Sequence, residues 1–248
     1  MPFIRTVLAA LSLTVLAGSA FAQNDPAGTP LPPAQQTPAA AGDVPPPEFV
    51  ASGQPLEIDT HPVNLKAVSA ADKATLDQID SYFNGIRFFS GNFVQVGSDG
   101  KRVTGKFWVS KPGRMRFDYD PPSPLQLLAD GTSVAVKNRK LNTQSLYFIK
   151  QTPLRFLLAE KLDLIEDSKV LEVGREQAGM SVILEEGSAA SGGKSRIQLT
   201  FPAPDYDLKQ WTITDPQGFD TTVTISGIDR KLQLPDKIFY IDQQKILR

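Results

Sequence analysis

From residue 89 onward, apolar side chains recur at every second position, which is the spacing that gives a β-strand one apolar face. The clearest example is the stretch 114–119, RMRFDY, in which Met, Phe and Tyr alternate with two Arg and one Asp. The predicted strands lie at 89–95, 103–110, 115–119, 134–136, 170–175, 180–186, 196–201, 208–215, 219–228 and 237–242. Because no β-α-β alternation occurs, they predict an antiparallel sheet that is curved or partly closed, in a mainly β fold of the α+β class.

Two segments have helical spacing instead. In 69–85, Ser69 can cap the first turn together with Asp72, and an apolar stripe follows at Leu76, Ile79, Phe83 and Ile86. A short, very apolar segment, Thr152–Glu160, begins with a capping threonine and a proline suited to the first helical position. Two helices can cover only part of the apolar face of a sheet with roughly ten strands. Pattern alone therefore leaves two interpretations of the apolar sheet face: an ordinary filled core, or a cavity for a hydrophobic ligand.

The first 62 residues predict export and an extended arm. Arg5, the apolar run 6–17 and the AFA sequence at 20–22 indicate a signal peptide, which we assign to residues 1–22, with a retained membrane anchor as the alternative. Residues 23–62 hold 10 of the 20 prolines, so we expect a disordered arm that is either a spacer or a docking tether for a partner. Residues 63–248 should then form one domain.

The composition argues against enzymatic chemistry. No cysteine is present, which excludes disulfides, thiolate catalysis and thiolate metal sites. The single histidine, His61, lies in the predicted arm, so a His-based triad or His-ligated metal site is not expected. Asp163, Glu166 and Asp167 form an acidic group that is better interpreted as a solvated loop than as an acid–base pair. We predict a protein that is not an enzyme and uses no metal or cofactor.

The charge balance gives little attraction for nucleic acid. Removing Arg5 with the signal peptide leaves 25 of the 26 Lys+Arg against 27 Asp+Glu, a net charge of −2. A protein that binds nucleic acid needs a basic footprint to neutralise phosphates. We therefore expect no nucleic-acid partner.

Five segments occur in an order and spacing that resemble a known family. They are Gly91–Gln95 (GNFVQ), Gly105–Gly113 (GKFWVSKPG), Met115–Pro121 (MRFDYDP) with Leu127–Gly131 (LLADG), and Leu208–Gly218 (LKQWTITDPQG). Together they resemble the F-x-Q strand, the R-W-x-Y-x-x-P and V-x-D-G patterns and the C-terminal strand pair of the LolA family of periplasmic outer-membrane lipoprotein carriers. The resemblance covers roughly residues 70–242.

This resemblance implies an unclosed antiparallel half-barrel with a short helical lid, in the periplasm. The implied cargo is triacylated lipoprotein, released by an inner-membrane ABC complex and passed to an outer-membrane acceptor where one exists. We expect a monomer that acts as a chaperone for this cargo. The sheet side chains expected to line the acyl-binding cavity are Phe93, Phe107, Val109, Met115, Phe117, Tyr119, Leu127, Trp211, Ile213 and Val223. The inner face of the lid is expected at Leu154, Phe156, Leu157 and Leu158.

One position departs from the family pattern. Family members commonly place an arginine before the proline of the R-P step, where it bonds lid backbone and holds the empty form shut, whereas this chain has Lys111. A lysine keeps the charge but lacks the planar fork of arginine. We expect Lys111 to be the lid-closing residue. Two alternative functions stay open on the same fold: a carrier of free lipid, and a non-enzymatic envelope-stress sensor.

Overall fold

One antiparallel sheet of twelve strands forms the body of the protein, in a computed structural model that describes residues 56–65, 67–152, 155–188, 193–231 and 234–242. The strands are β1 (His61–Pro62), β2 (Phe88–Val96), β3 (Arg102–Ser110), β4 (Arg114–Tyr119), β5 (Leu125–Asp130), β6 (Ser133–Asn138), β7 (Thr143–Phe148), β8 (Lys169–Glu176), β9 (Gly179–Ser188), β10 (Gly193–Pro202), β11 (Gln210–Thr214) and β12 (Asp220–Asp229). Their order across the sheet is β1-β8-β9-β10-β11-β12-β2-β3-β4-β5-β6-β7.

The sheet curls strongly but stays open. Phe117 on β4 and Trp211 on β11 are separated by three strands, yet their ring centroids lie only 6.5 Å apart. Four steps between neighbouring strands would span about 19 Å in a flat sheet, at about 4.8 Å a step. The two edges, β1 and β7, do not pair with each other within the described residues. The predicted fold class, a mainly β, unclosed antiparallel half-barrel, is confirmed.

The longest helix closes over the hollow of the sheet. α1 (Ala70–Gly85) begins where predicted, because the side chain of Ser69 accepts a hydrogen bond from the backbone N–H of Asp72 at 3.0 Å. Its apolar stripe is buried in the same cluster as the concave face of the sheet. A charged side chain on this stripe would therefore enter the core of the protein.

The predicted helix at 152–160 is shorter in the structure and is followed by a second turn. A 3-10 helix (Ile149–Gln151) precedes α2 (Arg155–Leu158), and α3 (Leu164–Asp167) follows. Pro153 and Leu154 lie outside the described residues. We refer to residues 155–167, which include α2 and α3, as the covering segment.

The strand predicted at 237–242 is wrong. A 3-10 helix (Asp236–Phe239) occupies this region, and Ile241 is buried on the outer face of the sheet against Leu128 and Ala135. Arg116 donates to the backbone carbonyl of Ile238 at 3.2 Å, so side chains of the sheet satisfy backbone groups that a strand would pair in a ladder. The alternating apolar residues of this segment pack on the face of the sheet. A period of two in the sequence does not distinguish this arrangement from a strand.

Residues 56–62, which we assigned to the arm, pack on the sheet and are called the N-terminal segment here. β1 pairs with β8, and Ile58 is buried. The backbone passes so close to Gly174 that a Cβ there would lie 1.9 Å from the carbonyl oxygen of Asp59. The ring of His61 lies 2.8 Å from Asp72 at the start of α1. The predicted signal peptide and arm residues 23–55 are outside the described residues.

Candidate functional site

The interior of the half-barrel contains all ten predicted cavity side chains. None of them is more than 5% exposed, and all belong to one buried apolar cluster. Strand register explains this, because directly paired residues of neighbouring strands project to the same side. Phe107 pairs with Phe117 and Phe117 with Leu127, while Trp211 pairs with Val223. The ten residues therefore project to the concave face on both halves of the sheet, and their role in binding acyl chains stays a prediction.

Aromatic rings form the centre of this surface. Phe93 lies 5.1 Å from Phe117 and 5.0 Å from Tyr119, measured between ring centroids. Phe107 stacks on Phe117 at 5.4 Å. Such pairs contribute about 0.5–1.5 kcal/mol each beyond their buried area. The rings provide a continuous apolar lining whose shape is fixed by mutual contact.

In this conformation the interior is filled by the helices that cover it. Phe156, Leu157 and Leu158 of α2 are buried in the same cluster as the sheet residues. Phe156 meets Phe83 of α1 at 5.9 Å between ring centroids. These three predicted lid residues therefore face inward, and Leu154 lies outside the described residues. A ligand can reach the sheet aromatics only if the covering segment or α1 moves.

Polar contacts hold the covering segment in place at separate points. Asn84 of α1 donates to the carbonyl of Leu162 and accepts from its N–H, each at 2.8 Å. The carboxylate of Asp80 accepts from the N–H of Leu164 at 3.1 Å. These residues lie 78 and 84 positions apart in sequence, so α1 and the covering segment hold one another only in the folded chain.

Two further anchors connect α2 with the sheet. The N–H of Gly113, between β3 and β4, donates to the carbonyl of Leu158 at 2.8 Å. Arg155 pairs with Glu186 of β9 at 2.6 Å, and the neighbouring carboxylate raises the pKa of Arg155. The covering segment thus contacts α1, the β3–β4 turn and β9.

Four carboxylates meet where α1 approaches α3. We call Asp77, Asp80, Asp163 and Asp167 the acidic cluster. Burial raises the pKa of Asp80 to about 6, the N–H of Leu164 opposes this shift, and the neighbouring carboxylates of the cluster add to it. Asp163 caps α3 by accepting from the N–H groups of Ile165 and Glu166. The acidic group noted in the sequence therefore has a structural use at a helix start.

Lys111 is buried but does not contact the covering segment through its ammonium group. Its Nζ donates to the carbonyl of Phe83 at 2.7 Å, in the last turn of α1, and burial lowers its pKa. A cation at this position is favourable because the last carbonyls of a helix lack partners within the helix. The covering segment is bonded by Gly113, two residues later, whose N–H donates to the carbonyl of Leu158, and a lid-closing role for Lys111 stays a prediction.

A cavity of about 1020 Å³ opens beside the covering segment. This side cavity lies between the β3–β4 turn, the end of β7, α2 and β9. Apolar groups from Phe148, Ile149 and Leu162 line it together with the charged side chains of Lys150 and Lys161. Its volume is at the upper end of the range of about 300–1,000 Å³ for small-molecule pockets. Phe148 is 61% exposed here, so an apolar surface leads from solvent towards α2.

The interior also contains polar groups that the sequence analysis missed. The hydroxyl of Tyr119 donates to Gln95 Oε1 at 2.7 Å, both residues are buried, and burial raises the pKa of Tyr119. Gln95 belongs to the same alternating set as Phe93 on β2, which was the available signal for an inward-facing amide. Trp211 was predicted only as apolar lining, although its indole also carries an N–H donor.

Within the residues that the structure describes, His, Asp and Glu side chains form no group of three suited to a metal ion. No helix among these residues has the length and apolar character needed to cross a bilayer.

Comparisons with known proteins identify a family and relatives to which this chain is similar. Residues 84–242 match the family model described as outer membrane lipoprotein carrier protein LolA. A Dechloromonas aromatica protein named outer-membrane lipoprotein carrier protein is 24% identical over 178 residues, covering 68% of this chain and 84% of that protein. The Ralstonia nicotianae protein of the same name is 27% identical over 196 residues, covering 71% and 87%.

Among solved structures, a LolA superfamily protein from Nitrosomonas europaea superposes with a TM-score of 0.41 at 13% identity. This superposition covers 71% of this chain and 99% of that one. The family model spans well over half of the 248 residues. The chain therefore belongs to the LolA family.

Proposed function

We propose that this protein is a periplasmic carrier that shields the acyl chains of lipoproteins between the inner and outer membranes. The observation that carries the proposal is the half-barrel interior, where ten apolar sheet side chains are covered by a short segment and one helix. Relatives from Dechloromonas aromatica and Ralstonia nicotianae are named for this role, which supports it. The predicted export signal at residues 1–22 gives the matching location.

The energetics favour a carrier that encloses its cargo. Burying a methylene is worth about 0.8 kcal/mol, so three long acyl chains represent roughly 35 kcal/mol when fully hydrated. Moving Phe156, Leu157 and Leu158 out of the interior costs about 1.5–3 kcal/mol for each side chain. The cost of opening is therefore well below the gain from shielding the cargo. No chemical step is required, and we propose a non-enzymatic mechanism without cofactor or metal.

In this mechanism the covering segment is the lid. Acyl chains enter past Phe148 and the side cavity, and the side chains of α2 withdraw as the chains take their place on the sheet aromatics. An inner-membrane ABC complex would supply the lipoprotein, and an outer-membrane acceptor would receive it. The proline-rich residues 23–55 would link the exported N-terminus to this domain as a spacer or a tether.

Native mass spectrometry tests the cargo directly. The exported protein is incubated with spheroplasts and purified without detergent, and the spectrum should show a one-to-one complex with triacylated lipoprotein. A complex with phospholipid alone would contradict lipoprotein carriage and support the carrier of free lipid. Absence of any acylated ligand would contradict both.

Hydrogen exchange tests the lid assignment in the same samples. Cargo should increase backbone exchange in residues 155–167, because the anchors to Asn84, Asp80 and Gly113 are released, while strands β2–β4 stay protected. Leu157→Ala should weaken the closed form, and Leu141→Ala is a matched control because Leu141 is 67% exposed. Unchanged exchange in 155–167 on loading would contradict the lid role.

A further inference from the structure

Trp211 has an unusual environment for a buried indole. The residue is 1% exposed, and its Nε1 has no hydrogen-bond partner among the described residues. Buried tryptophans usually place their N–H against an acceptor, because a buried donor without one is unfavourable. The other such atom in the described chain, Gln144 Oε1, lies on edge strand β7. Trp211 is therefore the unpaired donor of the interior.

The indole lies on the apolar lining and close to polar groups. On β11, Gln210 and Thr212 on either side of Trp211 bond Thr224 and Thr222 across the sheet, which leaves Trp211 on the opposite, concave face. Register places Trp211 beside Val223, and Val223 beside Gln95. Gln95, which accepts from Tyr119, thus projects to the same side two strands away from Trp211. The interior combines a hydrocarbon-like surface with a donor that hydrocarbon cannot satisfy.

We propose that Trp211 donates its indole N–H to the carbonyl oxygen of an ester- or amide-linked acyl chain. This inference rests on the proposed function and extends it, since the interior would recognise the acyl linkage as well as the hydrocarbon. An alkyl chain leaves the donor unpaired, whereas an acyl carbonyl is a strong acceptor at a dry site. The same carbonyl occurs in lipoprotein and in phospholipid, so both are tested.

The probes are two synthetic dipalmitoyl lipopeptides with a free amino terminus, one with ester-linked chains and one with ether-linked chains. Displacement of a fluorescent apolar probe from the full exported protein measures their affinities. The natural protein should bind the diester roughly 3- to 10-fold more tightly than the diether, the range expected for one hydrogen bond. Trp211→Phe keeps an aromatic ring but removes the donor, so it should bind both probes equally.

Trp108→Phe is the matched control, because Trp108 on β3 lies on the outer face with the Arg116 guanidinium 5.9 Å from its ring centroid. This variant should keep the ester preference. Proton–nitrogen NMR detects the indole N–H of Trp211 without a substitution there, because the chain has only two tryptophans and therefore only two indole signals. The Trp211 indole proton should move downfield with the diester and not with the diether.

The outcomes separate this inference from the proposed function. Equal binding of diester and diether by the natural protein, or an ester preference that survives in Trp211→Phe, would overturn the role of Trp211 and leave carriage intact. Binding of neither the lipopeptides nor the phosphatidylglycerols described next would overturn both. Diester and diether phosphatidylglycerol form the second arm. An ester preference there, without lipopeptide binding, would support the donor and contradict lipoprotein as the cargo.

Discussion

Replacing Asn84 with alanine should loosen the covering segment without unfolding the protein. Asn84 makes two 2.8 Å hydrogen bonds with the backbone of Leu162, one as donor and one as acceptor. A typical hydrogen bond contributes about 0.5–1.5 kcal/mol net. Asn84 is exposed, so water can replace part of each bond, and we expect about 1–2 kcal/mol in total. The open population of the covering segment should therefore rise roughly 5- to 30-fold.

Global stability is a poor assay for this change. Alanine has a higher helix propensity than asparagine by up to about 0.7 kcal/mol, which stabilises α1 and offsets part of the loss. Backbone hydrogen exchange, read peptide by peptide, isolates the local effect. Residues 155–167 should exchange faster by the factor above, whereas β2–β4 should be unchanged. Uptake of an acylated lipopeptide should accelerate by up to the same factor when opening limits its rate.

Two further variants make the Asn84 experiment specific. Asn84→Asp keeps an acceptor for the Leu162 N–H but loses the donor to its carbonyl, so it should show an intermediate effect. Ser81→Ala lies on the same helix, where Ser81 bonds only the carbonyl of Asp77, and it should leave the covering segment unaffected. Unaltered exchange in 155–167 for Asn84→Ala, or equal acceleration by Ser81→Ala, would refute the anchoring role.

Three other substitutions test contacts around the site. The pKa of Asp80 is raised from 3.8 to about 6, so the stability that protonated Asp80 contributes is fully present below pH 4 and is lost as the pH rises through 6. Asp80→Asn should therefore reduce the change in urea-unfolding free energy between pH 4 and 7, by about 1 kcal/mol at most because solvent screens this half-buried group. Lys111→Met should speed exchange at the end of α1 more than in the covering segment, and the reverse pattern would restore Lys111 as the lid contact. Gly174→Ala should displace the N-terminal segment, because the new Cβ would lie 1.9 Å from the carbonyl oxygen of Asp59. Limited proteolysis should then cleave the N-terminal segment. Gly85→Ala is the control, because a Cβ at Gly85 would have open space around it.

The lining of the half-barrel was predictable because strand periodicity is strict. A shift of one residue in register would turn a whole set of side chains to the other face, so the apolar set on 115–119 fixes its own orientation. The same holds for Trp211 and Ile213 on β11. Each of these assignments needs only the sequence of its own strand. Pairing between strands that are distant in sequence then joins these sets of side chains into one surface. It does not change which residues belong to each set.

The contacts that hold the cover were not predictable in this way. Asn84 and Asp80 follow no periodic rule, and their partners are backbone groups 78 and 84 residues away. Lys111 was assigned to the lid by resemblance, but its ammonium group donates to the carbonyl of Phe83 in the last turn of α1. The 237–242 segment shows the same limit, because an alternating pattern does not specify whether the partner is a strand edge or a sheet face.

A carrier of the proposed kind needs its own side chains to fill the interior when no cargo is bound. If the ten lining side chains were exposed, the empty protein would present an apolar patch that promotes aggregation. The covering segment removes this patch with its own apolar residues, so loading exchanges one set of buried groups for another. A lipoprotein that leaves a membrane is already shielded, and the net driving force for transfer is then far smaller than the roughly 35 kcal/mol of a hydrated chain. Interactions of 1–2 kcal/mol, such as the Asn84 anchor or a hydrogen bond from Trp211, are therefore large enough to determine whether cargo is held or released.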